Sequence, residues 1–282
     1  MREIRDPGEM RLYSQKAKAH GKRVALVPTM GALHEGHLSL VAQARKRADV
    51  VVVSIFVNPI QFGPSEDRKK YPRRLGRDKK ALKELGVDAL FVPAAGRMFP
   101  PGFKTYVEVE GLSRKLCGRS RPAHFRGVTT IVAKLFNIVL PDVALFGLKD
   151  YQQQVVIRQM ARDLDLPVEI VSLPTVREFD GLAMSSRNAY LTARERKTAT
   201  ILYRALMQAQ KLVGAGERDL NKIMYKLRSL IGTEPAVRLD YLAAVDPETL
   251  AEVKKLKGKV VFAVAAYLGK ARLIDNIMVD AG

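Results

Sequence analysis

Two histidines in one short stretch are the residues best suited to chemistry. His34 and His37 enclose Glu35 and Gly36, and the chain of 282 residues holds four histidines in all. Imidazole groups donate hydrogen bonds to phosphate oxygens and also bind metals. A zinc site has weak support, because the local acid is Glu35 and no cysteine is near in sequence. An ordinary core or surface pair is the alternative, but the position in a turn favours a phosphate ligand.

The elements around this pair are typical of a nucleotide-binding turn. Residues 24–27 are apolar and predict a strand buried on both faces, whose ladder Pro28 ends. Gly31 and Gly36 let the backbone approach a ligand with no Cβ in between. A helix over residues 37–48 would begin here, and its unpaired N–H groups and positive dipole end predict a phosphate site.

Polar amides follow the next predicted strand. Residues 49–58 form a second buried run, so the pattern is β-α-β and predicts a parallel sheet with a right-handed crossover. Asn58 and Gln61 come at the carboxyl end of this strand, which is the edge where open α/β sheets bind ligands. The alternative is plain turn chemistry of Asn58 and Pro59.

The densest basic run, residues 66–80, comes next in the chain. It predicts a solvated loop and a helix start, and it could either capture phosphates or only add to the positive charge. A helix over 78–86 and a strand over 88–93 repeat the α/β unit. Residues 105–111 alternate in polarity and predict a half-exposed strand.

Charged residues accompany two further element junctions. Arg121, His124 and Arg126 precede a predicted helix over 128–139 and are secondary candidates for phosphate contact, although His124 could merely cap that helix. A strand over 142–147 then leads to a second group of charged residues, Lys149 and Asp150. Lys149 is a mobile positive charge suited to a phosphate under attack, and Asp150 suits ribose hydroxyls or a helix cap; an ordinary surface lysine is the alternative.

Two hydroxyls and a guanidinium follow the last strand of this region, residues 168–174. Ser185, Ser186 and Arg187 suit a triphosphate, because each hydroxyl donates one hydrogen bond and the arginine donates two. Alone, the same residues are common loop chemistry. We place a domain boundary near residue 177.

The C-terminal part of the chain predicts a small α+β domain. A long helix over 192–213 opens with a capping box, Thr192 and Glu195, and a second helix covers about 219–230. Strands over 237–245, 260–266 and 272–278 suggest an antiparallel sheet.

The amino-acid composition limits which classes of protein this chain can belong to. The chain is 47% hydrophobic and 27% charged, which is typical of a soluble globular protein, and its apolar runs are too short to span a bilayer. Cys117 is the single cysteine, so an internal disulfide is excluded and a reducing, cytoplasmic location is expected. We interpret this thiol as inert rather than nucleophilic. The net charge of +19 permits a nucleic-acid binder, but aromatic content is 7% without tryptophan, and no stacking platform is recognisable.

Four separated motifs resemble the pantoate–beta-alanine ligase family of the nucleotidyltransferase superfamily. They lie, in the family's order, at residues 28–37, 58–62, 149–153 and 184–188. The resemblance implies an α/β fold: a Rossmann-like parallel sheet with helices on both faces in residues 1–177, and a smaller C-terminal α+β lid domain with an antiparallel sheet in 178–282. It implies ATP-dependent condensation of pantoate with beta-alanine to give pantothenate, AMP and diphosphate through a pantoyl adenylate.

The resemblance also implies roles for particular residues. The catalytic residues are His34, His37 and Lys149. The residues that bind ATP are Met30, Gly31, His34, Gly36, His37, Gly147, Leu148, Lys149, Asp150, Val176, Met184, Ser185, Ser186 and Arg187. The residues that bind the carboxylate substrates are Met30, Asn58, Gln61 and Gln153. Leu148 and Ala123 depart from the family, which has glutamate and glycine there.

The resemblance further implies Mg²⁺ bound with ATP, a homodimer, and neither nucleic acid nor membrane as a partner. The ligands of the metal stay open. A tRNA-charging enzyme or another adenylate-forming nucleotidyltransferase is the alternative enzyme, since the same histidine turn recurs there. A basic RNA-binding protein without catalysis is a third reading.

Overall fold

The computed structural model describes residues 1–63, 68 and 70–282. The chain divides into two compact units. The first comprises Met1–Ser113, Arg121–Leu148 and Gln153–Pro174, and the second comprises Arg114–Ser120, Lys149–Gln152 and Thr175–Gly282. Whether 1–177 and 178–282 are independent domains stays a prediction.

A parallel sheet of six strands is the centre of the first unit, within the described residues. The strands are β1 (Arg2–Ile4), β2 (Val24–Thr29), β3 (Val50–Ile55), β4 (Ala89–Phe91), β5 (Val143–Gly147) and β6 (Glu169–Leu173). They lie in the order β1-β4-β3-β2-β5-β6, and every neighbouring pair is parallel. Because parallel strands share their carboxyl edge, the residues after β2, β3 and β5 emerge at the same side of the sheet.

Helices flank this sheet. The helices that precede the C-terminal region are α1 (Pro7–Ala19), α2 (Glu35–Arg45), α3 (Leu75–Glu84), α4 (Ala95–Met98), α5 (Cys117–Ser120), α6 (His124–Val139) and α7 (Tyr151–Asp163). Of these, α5 and the first two residues of α7 belong to the second unit. Helix α2 packs on β2, β3 and β5 and on α3, whereas α1 packs on α6 and both contact β2. The apolar residues of β2 and β3 are buried, as a strand between two helical layers requires. The predicted Rossmann-like fold class is confirmed.

The strand predicted over residues 105–111 is wrong. This segment has no strand pairing, and its backbone is held by hydroxyl groups of α6 instead. Thr129 Oγ1 donates to the Val107 carbonyl at 2.6 Å, and the Val107 N–H donates to Thr130 Oγ1 at 3.0 Å. Alternating polarity predicted the extended shape, but side chains supply the hydrogen bonds that a neighbouring strand would have supplied.

The second unit contains three antiparallel strands in the described part of the chain. They are β7 (Val237–Val245), β8 (Lys259–Leu268) and β9 (Ala271–Asp280), with β8 in the middle. The accompanying helices are α8 (Ala193–Thr198), α9 (Ile201–Gly214) and α10 (Leu220–Gly232). Buried aliphatic residues of α9, α10 and the sheet form one hydrophobic core. The predicted α+β arrangement is confirmed.

The helix predicted over 192–213 is wrong in one respect, because it is two helices. Its capping box is present: Thr192 accepts from the Glu195 N–H, and the Glu195 carboxylate accepts from the Thr192 N–H. The helix breaks at Ala199 and Thr200, where the Thr200 hydroxyl donates to the Lys197 carbonyl at 2.8 Å. A hydroxyl that bonds its own preceding turn competes with the helical ladder.

Two further predictions concern the basic run, residues 66–80, and the helix expected over residues 78–86. Residues 66, 67 and 69 of the basic run lie outside the described residues, and the helix predicted over 78–86 spans Leu75–Glu84. Among the described residues, none of the helices combines the length and the apolar character that a membrane crossing demands.

Candidate functional site

The histidine turn, residues 29–37, joins β2 to α2. His34 is the residue that caps α2, and its Nδ1 accepts a hydrogen bond from the Gly36 N–H at 3.2 Å. His37 Nδ1 accepts from the His34 N–H at 3.4 Å. The two rings lie 4.1 Å apart between centroids. The imidazoles thus form a capping box with each other, in place of the usual hydroxyl and carboxylate.

These bonds determine which ring nitrogen carries the proton. A nitrogen that accepts from a backbone N–H is unprotonated, so the neutral forms of His34 and His37 have their proton on Nε2. Each ring therefore has an Nε2–H donor, which is the form that can donate to a phosphate oxygen. Neither sequence spacing nor composition could have assigned this tautomer.

Several N–H groups at the start of α2, which the sequence analysis predicted to be unpaired, have partners inside the protein. The N–H groups of His34 and Gly36 donate to the histidine rings, and that of His37 donates to the His34 carbonyl at 2.7 Å. The turn before the helix is also satisfied, since the Gly31 N–H donates to Thr29 Oγ1 at 3.1 Å. The histidine rings supply the acceptors for two of these backbone N–H groups.

Asp78 is a site-forming residue that the sequence analysis missed. Its carboxylate lies in the first turn of α3 and accepts from the N–H groups of Ala32 and Leu33, both at 2.9 Å. The side chain is buried, with 2% of its surface exposed. The available signal was a single acid among the mainly basic residues 68–80, which local patterns do not connect to a turn more than forty residues away.

The amide pair predicted beside the second strand is also built into the first unit. Asn58 Nδ2 donates to Gln61 Oε1 at 2.9 Å, and Gln61 Nε2 lies 3.2 Å from the Met30 sulfur. Both amides are buried. Gln61 therefore contacts both Asn58 and Met30, and Met30 belongs to the histidine turn, so the two motifs meet at the carboxyl edge of the sheet.

Helix α6 supports this amide pair from the other side. Asn58 Nδ2 also donates to the Gly127 carbonyl at 2.9 Å, and His124 Nδ1 lies 3.0 Å from the Gln61 carbonyl. A Cβ added to Gly127 would lie 2.5 Å from the Ile60 carbonyl oxygen, so the close approach demands glycine. His124, a secondary candidate for phosphate contact, holds backbone in this structure. Arg126 stacks over the Tyr106 ring at 3.9 Å.

Gly147, Leu148 and Gln153 complete the first unit's candidates. Gly147 is the last residue of β5, which pairs with β2, and it therefore emerges beside the histidine turn. Leu148 begins a short 3₁₀ turn that ends at Asp150. Gln153 is half-buried near the start of α7.

The second unit holds the remaining candidates. Lys149 lines a small cavity of about 10 Å³ together with Ser185, Asn188 and Asp275. Its carbonyl accepts from Asn276 Nδ2 at 3.0 Å, and its Nζ lies 4.0 Å from the Asp150 carboxylate. Lys149 has 18% of its side-chain surface exposed. The lysine is therefore a half-enclosed group rather than an ordinary surface lysine.

The serine-arginine loop, residues 184–188, is held by side chains. Ser185 Oγ accepts from the Arg187 N–H at 3.2 Å and caps a 3₁₀ helix, Ser186–Tyr190. Asn188 Nδ2 donates to Glu178 Oε1 at 2.8 Å and to the Ala183 carbonyl. The Met184 N–H donates to the Val176 carbonyl at 3.0 Å, which brings these two predicted ATP residues together.

Two arginine pairs brace this loop, and the sequence analysis gave neither a role. Arg177 donates two hydrogen bonds to the buried Asp275, at 2.6 and 2.9 Å, and its guanidinium lies over the Tyr203 ring. Arg196 bonds both Glu178 and Asp180. The hydrogen bond from Arg196 lowers the pKa of Asp180 below its ordinary value, and the two carboxylates raise the pKa of Arg196. The partners in these pairs lie too far apart in the chain for local sequence patterns to indicate them.

A preformed metal cage is not found within the described residues, because they contain no cluster of three or more histidine, cysteine, aspartate or glutamate side chains. Mg²⁺ is commonly bound through one or two carboxylates and the phosphates of its substrate. Asp150, whose side chain is 47% exposed, is a carboxylate of this kind beside Lys149. The donor set therefore fits a magnesium ion that arrives with a nucleotide.

Comparison with known proteins extends over nearly the whole chain. A model of the pantoate-beta-alanine ligase family matches residues 2–278. The pantothenate synthetase of Moorella thermoacetica is 53% identical over 271 residues, which cover 96% of each chain. Two solved structures are also similar. A pantoate-beta-alanine ligase (pantothenate synthetase) from Thermus thermophilus superposes with a TM-score of 0.94 at 48% identity, covering 98% of this chain and 99% of that one.

The second solved structure is a pantoate-beta-alanine ligase from Francisella tularensis complexed with beta-gamma ATP and beta-alanine. It superposes with a TM-score of 0.82 at 34% identity and covers 99% of this chain and 97% of that one. Family model, sequence relatives and solved structures agree over the same full length. The chain therefore belongs to the pantoate-beta-alanine ligase family.

Proposed function

We propose that this protein joins pantoate to beta-alanine at the expense of ATP, giving pantothenate, AMP and diphosphate. The observation that carries this proposal is the match to the ligase family over residues 2–278. The enzyme class is pantoate–beta-alanine ligase, AMP-forming. We read ATP, pantoate and beta-alanine as its substrates, in the cytoplasm, with a homodimer as its assembly and neither nucleic acid nor membrane as a partner.

The first chemical step forms a mixed anhydride. The pantoate carboxylate attacks the α-phosphorus of ATP, a new C–O–P linkage forms, and the bond to the β-phosphate oxygen breaks to release diphosphate. Negative charge builds on the phosphate oxygens in the transition state. Fixed hydrogen-bond donors aimed at that charge lower the barrier, because they need no reorganisation as the charge appears.

We assign this stabilisation to His34, His37 and Lys149. The Nε2–H tautomer that the capping box imposes gives each imidazole a donor whose direction is set by the helix start. Lys149 supplies a full positive charge from a half-enclosed position, where solvent screens it less than on an open surface.

Binding of the nucleotide is assigned to two groups of residues. From the histidine turn and the end of β5 they are Met30, Gly31, Gly36, Gly147 and Leu148. From the second unit they are Asp150, Val176, Met184, Ser185, Ser186 and Arg187. Arg187 and the two hydroxyls suit the leaving diphosphate, since a guanidinium binds phosphate through two parallel hydrogen bonds.

The carboxylate substrates are assigned to the amide pocket. Gln61, Asn58, Met30 and Gln153 would hold pantoate, and the contacts of Gln61 with Asn58 and Met30 fix the rotation of its amide. In the second step the beta-alanine amine attacks the pantoyl carbonyl carbon, AMP leaves, and the amine loses a proton. Water must be kept out, because it would hydrolyse the anhydride.

Magnesium accompanies ATP in this proposal, with Asp150 as the carboxylate that would hold it. When bound, the ion neutralises phosphate charge. The residues of the chain do the remaining work: the histidines orient donors, Lys149 holds charge, and the amide pocket aligns the attacking carboxylate.

The test separates the two steps. Wild-type protein with Mg²⁺, ATP and pantoate should release about one diphosphate per active site in a burst, and AMP should follow when beta-alanine is added. His37→Ala should slow the burst by about 100-fold or more, because a transition-state donor is lost. His20→Ala is the matched control, since His20 lies at the end of α1 and contacts the Lys16 carbonyl.

The outcomes discriminate between the enzyme classes. A burst that needs an amino acid and tRNA in place of pantoate would identify a tRNA-charging enzyme. Salt-sensitive RNA binding without any diphosphate release would identify a binding protein. A fully active His37→Ala would leave the ligase reading intact and remove the histidine turn from the chemistry.

A further inference from the structure

We propose that Asp78 is a positioning residue, which fixes the histidine turn by binding two of its backbone N–H groups. Asp78 Oδ2 accepts from Ala32 and Oδ1 accepts from Leu33, each at 2.9 Å. Both oxygens of one carboxylate therefore hold two consecutive peptide groups. The proposal deepens the function given above and rests on it for its kinetic consequences.

The backbone of the turn needs such a partner. Gly31 has a φ of 83° and Ala32 a φ of 51°, so two successive residues lie in the left-handed region. For alanine this conformation is unfavourable, because its Cβ crowds the carbonyl oxygen. Such a conformation persists only where surrounding contacts over-determine it, and the paired bonds to Asp78 are such contacts.

Successive N–H groups that converge in a turn form a concavity that binds anions. In many nucleotide-binding proteins a substrate phosphate occupies a glycine-bearing turn of this kind. Here the anion is the protein's own carboxylate, buried with 2% of its surface exposed. The turn is therefore shaped before any nucleotide arrives, and the N–H groups of Ala32 and Leu33 are already bonded to this carboxylate.

Loss of the Asp78 carboxylate would affect the two histidines through the backbone of Leu33. Leu33 immediately precedes His34, whose extended backbone (φ −134°, ψ 173°) lets the two rings cap the helix. Without the carboxylate, the buried N–H group of Ala32 and the partly buried one of Leu33 lose their acceptor, and an N–H group left unpaired away from water is destabilising. The turn would relax to recover those bonds elsewhere, and the Nε2–H groups of His34 and His37 would lose their fixed direction.

Asp78→Asn is the informative variant, because it preserves shape and one acceptor but turns an NH₂ group toward the other N–H. Asp142→Asn is the matched control. Asp142 also accepts from a backbone N–H of β2, that of Val24 at 2.8 Å, but at the amino end of the strand. It also pairs with Lys18. The two variants remove equal charge from opposite ends of the same strand.

Two measurements follow on the full-length protein. In ring ¹⁵N spectra, the wild type should show His34 and His37 with unprotonated Nδ1 and protonated Nε2. Asp78→Asn should change these signals, and Asp142→Asn should leave them unchanged. In single-turnover diphosphate release, Asp78→Asn should lower the rate about 10- to 100-fold with little change in the ATP concentration at half-saturation, as misplaced groups do.

Each result decides something. Ring signals and burst rate in Asp78→Asn that match those of Asp142→Asn would overturn the positioning role. If Asp78→Asn does not fold, Asp78→Ser takes its place: it removes the carboxylate without adding bulk, and wild-type signals and rate there would equally overturn the positioning role. A wild type without a pantoate-dependent burst would defeat the proposed function alone, because the spectra test Asp78 without turnover.

Discussion

The histidine turn and the serine-arginine loop are both assigned to ATP, yet they are held in place by different means. In the histidine turn, a buried carboxylate fixes the backbone, and the N–H groups of Gly31, Ala32 and Leu33 are bonded inside the protein. In the serine-arginine loop, side chains make the contacts: Asn188 reaches Glu178, which Arg196 holds in turn. One region is built on strained backbone and the other on a network of charged side chains.

The two regions also differ in whether their buried polar atoms have hydrogen-bond partners. In the part of the chain that the structure describes, Asn188 Oδ1 is buried without a hydrogen-bond partner. Asn188 borders the cavity of about 10 Å³ beside Lys149, which is the size of one water molecule with suitable polar partners. We infer that the histidine turn is preorganised, while the serine-arginine loop retains capacity to rearrange its hydrogen bonds when a nucleotide binds.

Replacing one glycine in each region by alanine tests this comparison with the largest expected effect. Gly181 (φ 93°) lies before the serine-arginine loop, and an added Cβ would lie 2.1 Å from the Tyr203 ring, which stacks on Arg177. Gly31 (φ 83°) lies in the histidine turn, where an added Cβ would lie 3.0 Å from Ile55. Gly181→Ala should therefore lower the free energy of unfolding by about 3 kcal/mol, and Gly31→Ala by about 1–2 kcal/mol.

Urea unfolding measures both glycine variants, and Gly214→Ala is the control. Gly214 lies at the end of α9 with no neighbour within 4 Å of an added Cβ, so alanine should be neutral or slightly stabilising there. A Gly181→Ala protein as stable as the control would show that the Tyr203 ring and the Arg177 guanidinium can move aside at little cost in stability.

Arg187 sharpens the functional side of the comparison. If the serine-arginine loop binds the phosphates that leave, Arg187→Lys should raise the KM for ATP about tenfold, because lysine cannot donate two parallel hydrogen bonds. The rate at saturating ATP should change less than it does in His37→Ala. Steady-state kinetics at varied ATP measure the difference. A variant with normal KM but a slow burst would place Arg187 with the histidines, as a group that acts in the transition state.

The smallest expected effect concerns acid stability of the side-chain network. The hydrogen bond from Arg196 lowers the pKa of Asp180 below its ordinary 3.8. A lowered folded-state pKa gives stability that is present above the ordinary value and is lost as pH falls toward the folded value. Asp180→Asn should cost about 1 kcal/mol at pH 7, given its partial exposure.

The deficit of Asp180→Asn should shrink below about pH 4, where the wild-type carboxylate begins to gain its proton. Urea unfolding at pH 7, 5 and 3 follows this trend. An equal deficit at all three pH values would show that the aspartate contributes packing and neutral hydrogen bonds rather than its charge.

Much of the fold could be predicted from the sequence because its signals are local. The runs at 24–27 and 50–53 are continuous β-branched and aliphatic residues, so strands buried on both faces follow directly. Thr192 and Glu195 signal a helix start at a spacing of three, and the structure has that capping box. Motif order along the chain was enough to identify the family.

Other features required tertiary contacts. The segment 105–111 has the alternation of a strand, but whether a neighbour strand exists depends on the whole sheet, and here hydroxyls of α6 take its place. The capping box made of two histidines depends on ring orientation, which spacing alone cannot give.

The sequence by itself determined the α/β class, the family and the location of the histidine turn, since each depends on residues near one another in the chain. Tertiary structure alone decided what holds that turn. Asp78 reaches Ala32 and Leu33 across more than forty residues, and Gly127 meets the backbone of Ile60 because α6 packs there. Such pairings depend on how distant elements come together, which no local pattern in the chain records.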